Sequence, residues 1–306
     1  MTMEKPSILH LITPTPQASP FDVNMAYDAG YDAVVPYTGA TPADVTTLTQ
    51  DAIFSRGPKG VKRTGLFIGG RDLETALRMF DVAKKAMVPP FEVSVFTDPS
   101  GAFTTAAAAV ACVEKTLKEH FSSSLQGKRV LVLGATGPVG AAAAVLAAQQ
   151  GARVQAASHS DLKRAEQVSR MARERYKVEV EPVLATADSL EKLVGSAEVI
   201  IAAAKAGVEV LSPATLPKAA NLLVAADINA VPPLGIAGIG VQDNGKAISG
   251  APGSKARGIG ALAIGSVKYQ VERGLFEAML SADQALYLDF VSAFDKAREV
   301  IQASGK

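Results

Sequence analysis

Residues 128–148 read KRVLVLGATGPVGAAAAVLAA. An apolar run typical of a buried strand leads through a glycine-rich turn into an alanine-rich segment typical of a helix. The turn contains Gly134, Gly137 and Gly140 with the spacing G-x-x-G-x-x-G. In dinucleotide-binding turns, the first glycine permits the tight bend, the second admits the pyrophosphate and the third lets the helix pack on the sheet. The stretch therefore predicts the first βα unit of a Rossmann domain.

A tight βα turn with packing glycines alone would have a similar sequence, but strand, turn and helix together favour nucleotide binding. The N–H groups and the dipole at the helix start would face the phosphates, and the dipole contributes about 0.3–1 kcal/mol. The predicted cofactor contacts in this turn are Gly134, Thr136, Gly137, Pro138, Val139 and Gly140.

The end of the second Rossmann strand bears on the choice between NAD and NADP. It reads Ala157-Ser158-His159-Ser160, about twenty residues after the glycines, where an NAD-selective site carries an acid for the ribose diol. Because no acid stands there and Ser158 and His159 can hydrogen-bond a 2′-phosphate, we expect NADP to be accepted as well as NAD. Lys163 and Arg164 would add charge, although a solvated basic helix face is the better interpretation of those two residues.

The chain before residue 98 alternates strand-like and helix-like segments. The strand-like runs are SILHLIT, YDAVVPY, TGLFIGG and FEVSVFT. This alternation predicts a parallel sheet covered by helices. Ser19-Pro20-Phe21-Asp22 and Thr41-Pro42-Ala43-Asp44 each combine a cap, a proline and an acid, so both predict helix starts, and Gly30 predicts the end of the first helix.

A helix near residues 103–120 and the polar stretch 122–124 precede a second βα series, which begins at Lys128. Its predicted strands are RVLVLG, ARVQAAS, VEVEPV, EVIIAAA and NLLVAAD. Five strands complete a Rossmann sheet, so we expect the Gly- and Pro-rich stretch after Asp227 to line the active site. A last helical region near residues 259–303 is expected to pack on the first domain.

These patterns predict an α/β fold with two domains. The first is an N-terminal α/β domain of residues 1–121, completed by C-terminal helices in residues 266–306. The second is a Rossmann NAD(P)-binding domain of residues 122–265.

Composition excludes several classes of protein. The net charge of +1, from 31 basic and 30 acidic residues, provides no field for holding nucleic acid. One cysteine and three scattered histidines predict neither a disulfide framework nor a metal site. Since no signal peptide and no apolar stretch of about 18 residues is recognisable, we expect a cytoplasmic protein without a membrane partner. The Tyr-x-x-x-Lys pattern of short-chain dehydrogenases and the G-x-S-x-G elbow are also absent.

The chain resembles the methylene-tetrahydromethanopterin dehydrogenases of methylotrophic bacteria, most closely the type B enzymes that use NAD or NADP. The segments that carry the resemblance are SPFDVNMAYDAG, PYTG, LTQDAIFSR, FIGG, VPPF, DPSGAFTTAAA, GKRVLVLGATGPVG, DINAVPPLGIAGI and GIGALAIGSVKYQ. They occur in this order over nearly the whole chain, which makes the resemblance specific.

The resemblance implies that a hydride leaves the methylene bridge of reduced tetrahydromethanopterin for the nicotinamide, in formaldehyde oxidation, and leaves a methenyl cation. It also implies a homo-oligomer, a trimer or hexamer. No proton moves in that step, so the protein has to align donor and acceptor and stabilise positive charge. A methylene-tetrahydrofolate dehydrogenase and a non-catalytic NADP-sensing protein remain alternatives.

Lys268 in GSVKYQ and Asp22 in PFDV fall on positions that the family's motifs place at the pterin site. The resemblance implies that both are catalytic. Lys268 would hold the pterin ring or tune charge near the reacting carbon, and Asp22 would orient that lysine or stabilise the cation. Without the resemblance, a solvated helix lysine and a helix-capping acid are the simpler interpretations.

Polar residues after the fourth strand of the first sheet are the predicted substrate contacts. They are Asp98, Ser100, Thr104 and Thr105. Ligands of parallel sheets gather at such strand ends, although Asp98 or Ser100 would equally cap the following helix.

Three further residues are predicted to meet the cofactor. Asn229 follows the fifth Rossmann strand beside the Gly- and Pro-rich stretch, where its amide would face the nicotinamide or the pterin. Ala203 and Ala204 end the fourth strand, and their small side chains would let the nicotinamide ribose approach.

Overall fold

The computed structural model describes residues 5–252 and 255–304. Its strands are β1 (Ile8–Thr13), β2 (Ala33–Thr38), β3 (Thr64–Ile68), β4 (Ser94–Thr97), β5 (Arg129–Leu133), β6 (Arg153–Ser158), β7 (Val180–Leu184), β8 (Val199–Ala202), β9 (Val224–Asp227), β10 (Asn244–Ala247), β11 (Arg257–Ile259) and β12 (Tyr287–Leu288). Its helices are α1 (Pro20–Asp28), α2 (Val45–Phe54), α3 (Gly57–Val61), α4 (Leu73–Lys85), α5 (Ala102–Phe121), α6 (Pro138–Gln149), α7 (Leu162–Tyr176), α8 (Ala187–Ser196), α9 (Ala261–Ser281) and α10 (Phe290–Ser304).

The chain forms two compact units, each built from two stretches of sequence. They are unit 1 (Met1–Thr104 and Tyr269–Lys296) and unit 2 (Thr105–Lys268 and Ala297–Lys306). The predicted domain boundaries, after residues 121 and 265, differ from these divisions, which lie after residues 104, 268 and 296. The difference arises because the divisions lie inside the helices α5, α9 and α10 rather than in connecting loops.

Unit 1 contains a five-stranded parallel sheet with the order β12-β4-β3-β1-β2. The four strands predicted from the apolar runs are present, and the α/β class is confirmed. The two-residue edge strand β12 was not predicted, because Tyr287 and Leu288 carry no alternation and pair only through β4. The sheet is therefore completed by a segment from the far end of the chain.

Unit 2 contains a seven-stranded sheet with the order β10-β11-β9-β8-β5-β6-β7. All pairs are parallel except β10 with β11. Strand β5 has β6 on one side and β8 on the other, so the direction of the crossovers reverses there, at the position where ligands of doubly wound sheets bind. The expectation that five strands complete this sheet is wrong, because the Gly-rich stretch after Asp227 contributes β10 and β11 as well as loops.

An aromatic cluster forms the centre of unit 1. The ring of Phe276 on α9 lies 5.3 Å from the rings of Phe67 and Phe96 and 6.2 Å from Tyr31. The three phenylalanines are fully buried. Tilted and edge-on contacts of this kind add to the roughly 1.5–3 kcal/mol that burying each side chain contributes.

Of the two predicted helix starts in unit 1, the first is confirmed. The Ser19 hydroxyl accepts the Asp22 N–H at 3.4 Å, with Pro20 in the first turn. The start expected at Thr41 is wrong by about one turn, because Asp44 accepts the N–H and the hydroxyl of Thr41, both at 2.7 Å. That local bond holds residues 41–44 as a turn, and α2 begins only at Val45.

Replacing Phe276 by Ala should lower the free energy of unfolding by about 3–5 kcal/mol, because it leaves a cavity among three rings. Denaturant titration of the purified protein measures this loss. Phe54→Ala is the control, because Phe54 is 51% exposed and should lose about 1 kcal/mol or less. Equal losses in the two variants would contradict the assignment of the core.

Candidate functional site

The three glycines of the turn between β5 and α6 differ in how closely other atoms surround them. At Gly134, where φ is +80°, a Cβ would lie 2.6 Å from the backbone of Ala203 and Ala204. At Gly140 a Cβ would lie 2.5 Å from the carbonyl oxygen of Gly134. At Gly137 the nearest atom would be 3.6 Å away, again the Gly134 oxygen. The protein's own packing therefore requires the first and third glycines, whereas the second position would accept a Cβ without a close contact.

The start of α6 is suited to binding an anion. Gly137 is the N-cap and supplies no side-chain hydrogen bond, and Pro138 occupies the first helical position. The N–H groups of Val139 and Gly140 follow in the first turn, where an α-helix has no internal acceptors for them. With the helix dipole behind them, they can bind a phosphate in the space beside Gly137.

Ala203 and Ala204 follow β8 directly beside the turn. The Ala203 N–H donates to the Leu133 carbonyl at 2.8 Å, which continues the pairing of β8 with β5. Both alanines are half-buried. The structure thus brings the loop after β8 and the glycine turn together at one end of the sheet.

Ser158 and His159, at the end of β6, differ in their exposure to solvent. Ser158 is buried, and its hydroxyl oxygen accepts the Asp161 N–H at 3.2 Å, whereas His159 is exposed. Asp161 was not singled out from the sequence, yet its carboxylate caps α7 by accepting the Lys163 N–H at 2.9 Å. Lys163 and Arg164 are exposed, as expected for a solvated helix face.

Asn229 holds the loop that follows β9. Its Oδ1 accepts the N–H of Val231 at 2.9 Å and that of Gly207 at 3.2 Å. Its Nδ2 donates to the Pro233 carbonyl at 2.8 Å. Most of the amide's hydrogen-bonding capacity is therefore used within the protein, which the sequence pattern did not indicate.

Asp227, the last residue of β9, is a further polar group that sequence reasoning missed. It is 2% exposed, and its carboxylate accepts the N–H groups of Asn229 and Ile236, each at 3.0 Å. Burial raises the pKa of Asp227 above its ordinary value, while these backbone bonds act in the opposite direction. The sequence signal that could have identified it is an acid at the end of an apolar strand, where burial is expected.

In unit 1 the predicted substrate contacts divide into two kinds. Asp98 and Thr104 are fully buried, and Asp98 accepts the N–H of Phe103 at 2.7 Å and the Thr104 hydroxyl at 2.5 Å, which caps α5. Ser100 is exposed, has a φ of 55° and donates from its hydroxyl to the Gly70 carbonyl at 2.8 Å. Thr105 is half-buried.

A left-handed conformation in a residue other than glycine costs roughly 1–3 kcal/mol and is often found at ligand sites. The conformation of Ser100 therefore marks the end of β4 as the strained part of unit 1.

Asp22 and Lys268 belong to different units. Asp22 is in the first turn of α1 in unit 1 and is 4% exposed. Lys268 lies on α9, at the end of the main stretch of unit 2, and is half-buried. Within residues 5–252 and 255–304, no cluster of histidine, cysteine or acidic residues is suited to hold a metal ion, and no helix is both long and apolar enough to cross a membrane.

The comparison with known proteins identifies the family. Residues 20–100 match the model for the N-terminal domain of methylene-tetrahydromethanopterin dehydrogenase. The chain is 47% identical over 295 residues to the NAD(P)-dependent methylenetetrahydromethanopterin dehydrogenase of Methylorubrum extorquens, covering 96% of this chain and 98% of that protein. The chain belongs to the methylene-tetrahydromethanopterin dehydrogenase family. The resemblance noted in the sequence is thereby confirmed.

A second relative is the bifunctional protein MdtA of Methylorubrum extorquens, which is 34% identical to this chain over 284 residues, covering 92% of this chain and 94% of that protein. Among solved structures, the shikimate dehydrogenase of Mycobacterium tuberculosis matches with a TM-score of 0.51 at 14% identity, covering 97% of this chain and all of that one. The quinate dehydrogenase of Corynebacterium glutamicum in complex with NAD has the same TM-score and identity, and covers 97% of this chain and 98% of that one. At such low identity these structures show a shared fold.

Two glycine variants test the geometry of the turn. Gly140→Ala should lower the free energy of unfolding by about 1–3 kcal/mol, because the added methyl meets the Gly134 carbonyl. Gly137→Ala should unfold like the unmodified protein but bind NADPH at least about tenfold more weakly, because the methyl fills the open space beside the helix start. Thermal unfolding and calorimetric titration measure the two effects. Unchanged NADPH affinity in Gly137→Ala would rule out this space as the phosphate site.

Proposed function

We propose that the protein oxidises methylene-tetrahydromethanopterin to methenyl-tetrahydromethanopterin with NAD or NADP, by direct hydride transfer in one-carbon metabolism and formaldehyde oxidation. The observation that carries the proposal is the 47% identity along 96% of the chain to an NAD(P)-dependent enzyme with this name. The turn of β5 and α6 adds support, because a Cβ would meet backbone atoms within 2.6 Å at Gly134 and Gly140 but none nearer than 3.6 Å at Gly137, where we place the phosphate.

When bound, the nicotinamide ring accepts the two electrons and the hydrogen that leave the methylene carbon. The chain's own residues bind and orient the reactants. The N–H groups of Val139 and Gly140 hold the pyrophosphate, and Thr136 lies beside them in the turn. Ala203 and Ala204, together with the loop that Asn229 holds, shape the nicotinamide end of the site. Holding donor carbon and acceptor ring in contact lowers the barrier without any proton transfer.

On the substrate side, we assign Ser100 and Thr105 to direct contact with the carrier. Asp98 and Thr104 hold the strand end that presents them, because the Asp98 carboxylate is engaged by the first turn of α5. Lys268 holds the pterin ring, and the Asp22 carboxylate stabilises the positive charge that develops on the carrier. A carboxylate about 4 Å from a unit charge contributes roughly 4 kcal/mol at an effective dielectric near 20.

The direct test offers the purified protein methylene-tetrahydromethanopterin and methylene-tetrahydrofolate separately, with NADP or NAD, and follows NAD(P)H absorbance. Turnover with the methanopterin is the expected result. Turnover with the folate alone would support the same hydride transfer but would show that the carrier is tetrahydrofolate. Binding of NADPH without turnover of either carrier would favour a dinucleotide sensor and overturn the proposal.

Lys268→Ala and Asp22→Asn should each lower kcat at least about tenfold, because each 1.4 kcal/mol of transition-state stabilisation corresponds to that factor. The α1 cap should survive in Asp22→Asn, since the bond to Ser19 uses the backbone N–H of Asp22. The control is Lys62→Ala, which removes a 58% exposed lysine from a 3.7 Å ion pair with Asp283. Steady-state kinetics at saturating cofactor measure the effect, and kcat values equal to the control would contradict both assignments.

Ser158→Asp should shift the preference from NADP toward NAD, because a carboxylate at the end of β6 repels a 2′-phosphate and can accept from the ribose diol. The ratio of kcat/KM for the two cofactors is the measurement. Ser160→Asp is the control for added charge, since Ser160 is exposed two residues further along. A ratio that stays constant in Ser158→Asp would show that the 2′-phosphate binds elsewhere.

We also propose that the protein is cytoplasmic and assembles as a homo-oligomer, a trimer or a hexamer, with no nucleic-acid or membrane partner. The near-neutral net charge of +1 supports the absence of a nucleic-acid partner. Light scattering coupled to size-exclusion chromatography measures the oligomeric state.

A further inference from the structure

The buried carboxylate of Asp227 lies at the carboxyl end of β9, in the seven-stranded sheet of unit 2. We propose that Asp227 is a positioning residue that fixes the loops after β8 and β9 at the nicotinamide end of the cofactor site. This inference rests on the proposed function, because it concerns the same cofactor site.

Asp227 closes the loop of residues 228–236 at both of its ends. Its Oδ1 accepts the N–H of Asn229 at 3.0 Å, and its Oδ2 accepts the N–H of Ile236 at 3.0 Å. The backbone of Gly235 lies directly beside the same carboxylate. Gly235 has to be a glycine for this contact, since a Cβ there would lie 2.6 Å from the Asp227 Oδ1. One side chain therefore determines where the loop begins and ends.

Asn229 connects the loop after β9 with the loop after β8. The backbone of Asn229 is held by Asp227, and its side-chain Oδ1 accepts the Gly207 N–H from the loop after β8. That loop begins with Ala203 and Ala204, whose backbone lies against Gly134 in the glycine turn. A continuous set of contacts thus runs from Asp227 across the carboxyl ends of β9, β8 and β5, the strands over which a dinucleotide's nicotinamide half binds in this fold.

The contacts suit a carboxylate, which has acceptor oxygens on both sides and no donor. Two N–H groups point at the carboxylate, one at each oxygen, so both oxygens have to accept a hydrogen bond. Burial raises the pKa of Asp227, so the buried charge costs free energy that a neutral side chain would avoid. The two backbone bonds offset part of that cost and tie the charge to the geometry of the loop.

The test variant is Asp227→Asn in the full chain, which keeps the size of the side chain but turns an N–H₂ group toward a backbone N–H. Calorimetry gives its affinity for NADPH and for adenosine 2′,5′-bisphosphate, which lacks the nicotinamide half. We expect NADPH to bind about tenfold more weakly and the bisphosphate to bind as before. We also expect kcat to fall about 10- to 100-fold and the deuterium isotope effect on the transferred hydrogen to rise, because a displaced ring slows hydride transfer itself.

Gly235→Ala is the second variant, because it pushes the loop away from the carboxylate while leaving the charge in place; it should show the same pattern. The matched control is Glu198→Gln. Glu198 also accepts a backbone N–H, that of Arg129 at 3.0 Å, but it lies at the opposite, amino end of β8. This variant should keep both affinities and kcat.

The inference is overturned if Asp227→Asn and Gly235→Ala bind NADPH and turn over like Glu198→Gln. It is also overturned if NADPH and the bisphosphate lose affinity equally, since that pattern indicates a general structural defect. The two affinities do not involve the pterin. They therefore decide the role of Asp227 even if the unmodified protein fails to oxidise methylene-tetrahydromethanopterin, a result that would overturn only the proposed function.

Discussion

The cofactor half of this protein depends on a backbone-to-backbone contact between Gly134 and the pair Ala203 and Ala204. A single methyl group at Gly134 would come within 2.6 Å of that backbone, so the two chain segments touch with nothing between them. This contact holds the carboxyl ends of β5 and β8 side by side, where the crossovers of the sheet reverse direction. Helix α6 can then start directly above them, with its first N–H groups facing the space beside Gly137.

Much of the fold could be predicted because its central strands are buried on both faces. Such strands are continuous apolar runs, as in β3 and β4, whose residues are all buried. The strands that were missed, β10, β11 and β12, lack this signal. Strand β10 is mostly exposed, and β12 has two residues, so each exists because a neighbouring strand supplies its hydrogen bonds. Pairing over long sequence separations is not encoded in a local pattern.

The candidate site shows a different limit of sequence reasoning. The glycine spacing predicted the turn, but only the surroundings of each glycine reveal that two are required by close backbone packing and that the third position would accept a Cβ. Polar residues at strand ends pose the same difficulty. Asp98 and Asn229 are predicted as ligand contacts, and the structure shows that Asp98 also caps α5 and that Asn229 also holds the loop after β9. Loop-holding and ligand-binding groups need the same residue types at the same positions, so spacing alone does not separate them.

The discontinuous first unit has a consequence for synthesis on the ribosome. The last strand of the seven-stranded sheet, β11, ends at Ile259, whereas β12, which pairs with β4 at the edge of the first sheet, comes only at Tyr287–Leu288. During translation from the N-terminus, the sheet that is begun first is therefore the one that is finished last. Until β12 emerges, one side of β4 is an open edge in the nascent chain, the kind of surface on which unrelated strands aggregate. The timing of elongation between β11 and β12, rather than through β1 to β4, thus governs how long the first sheet keeps this open edge.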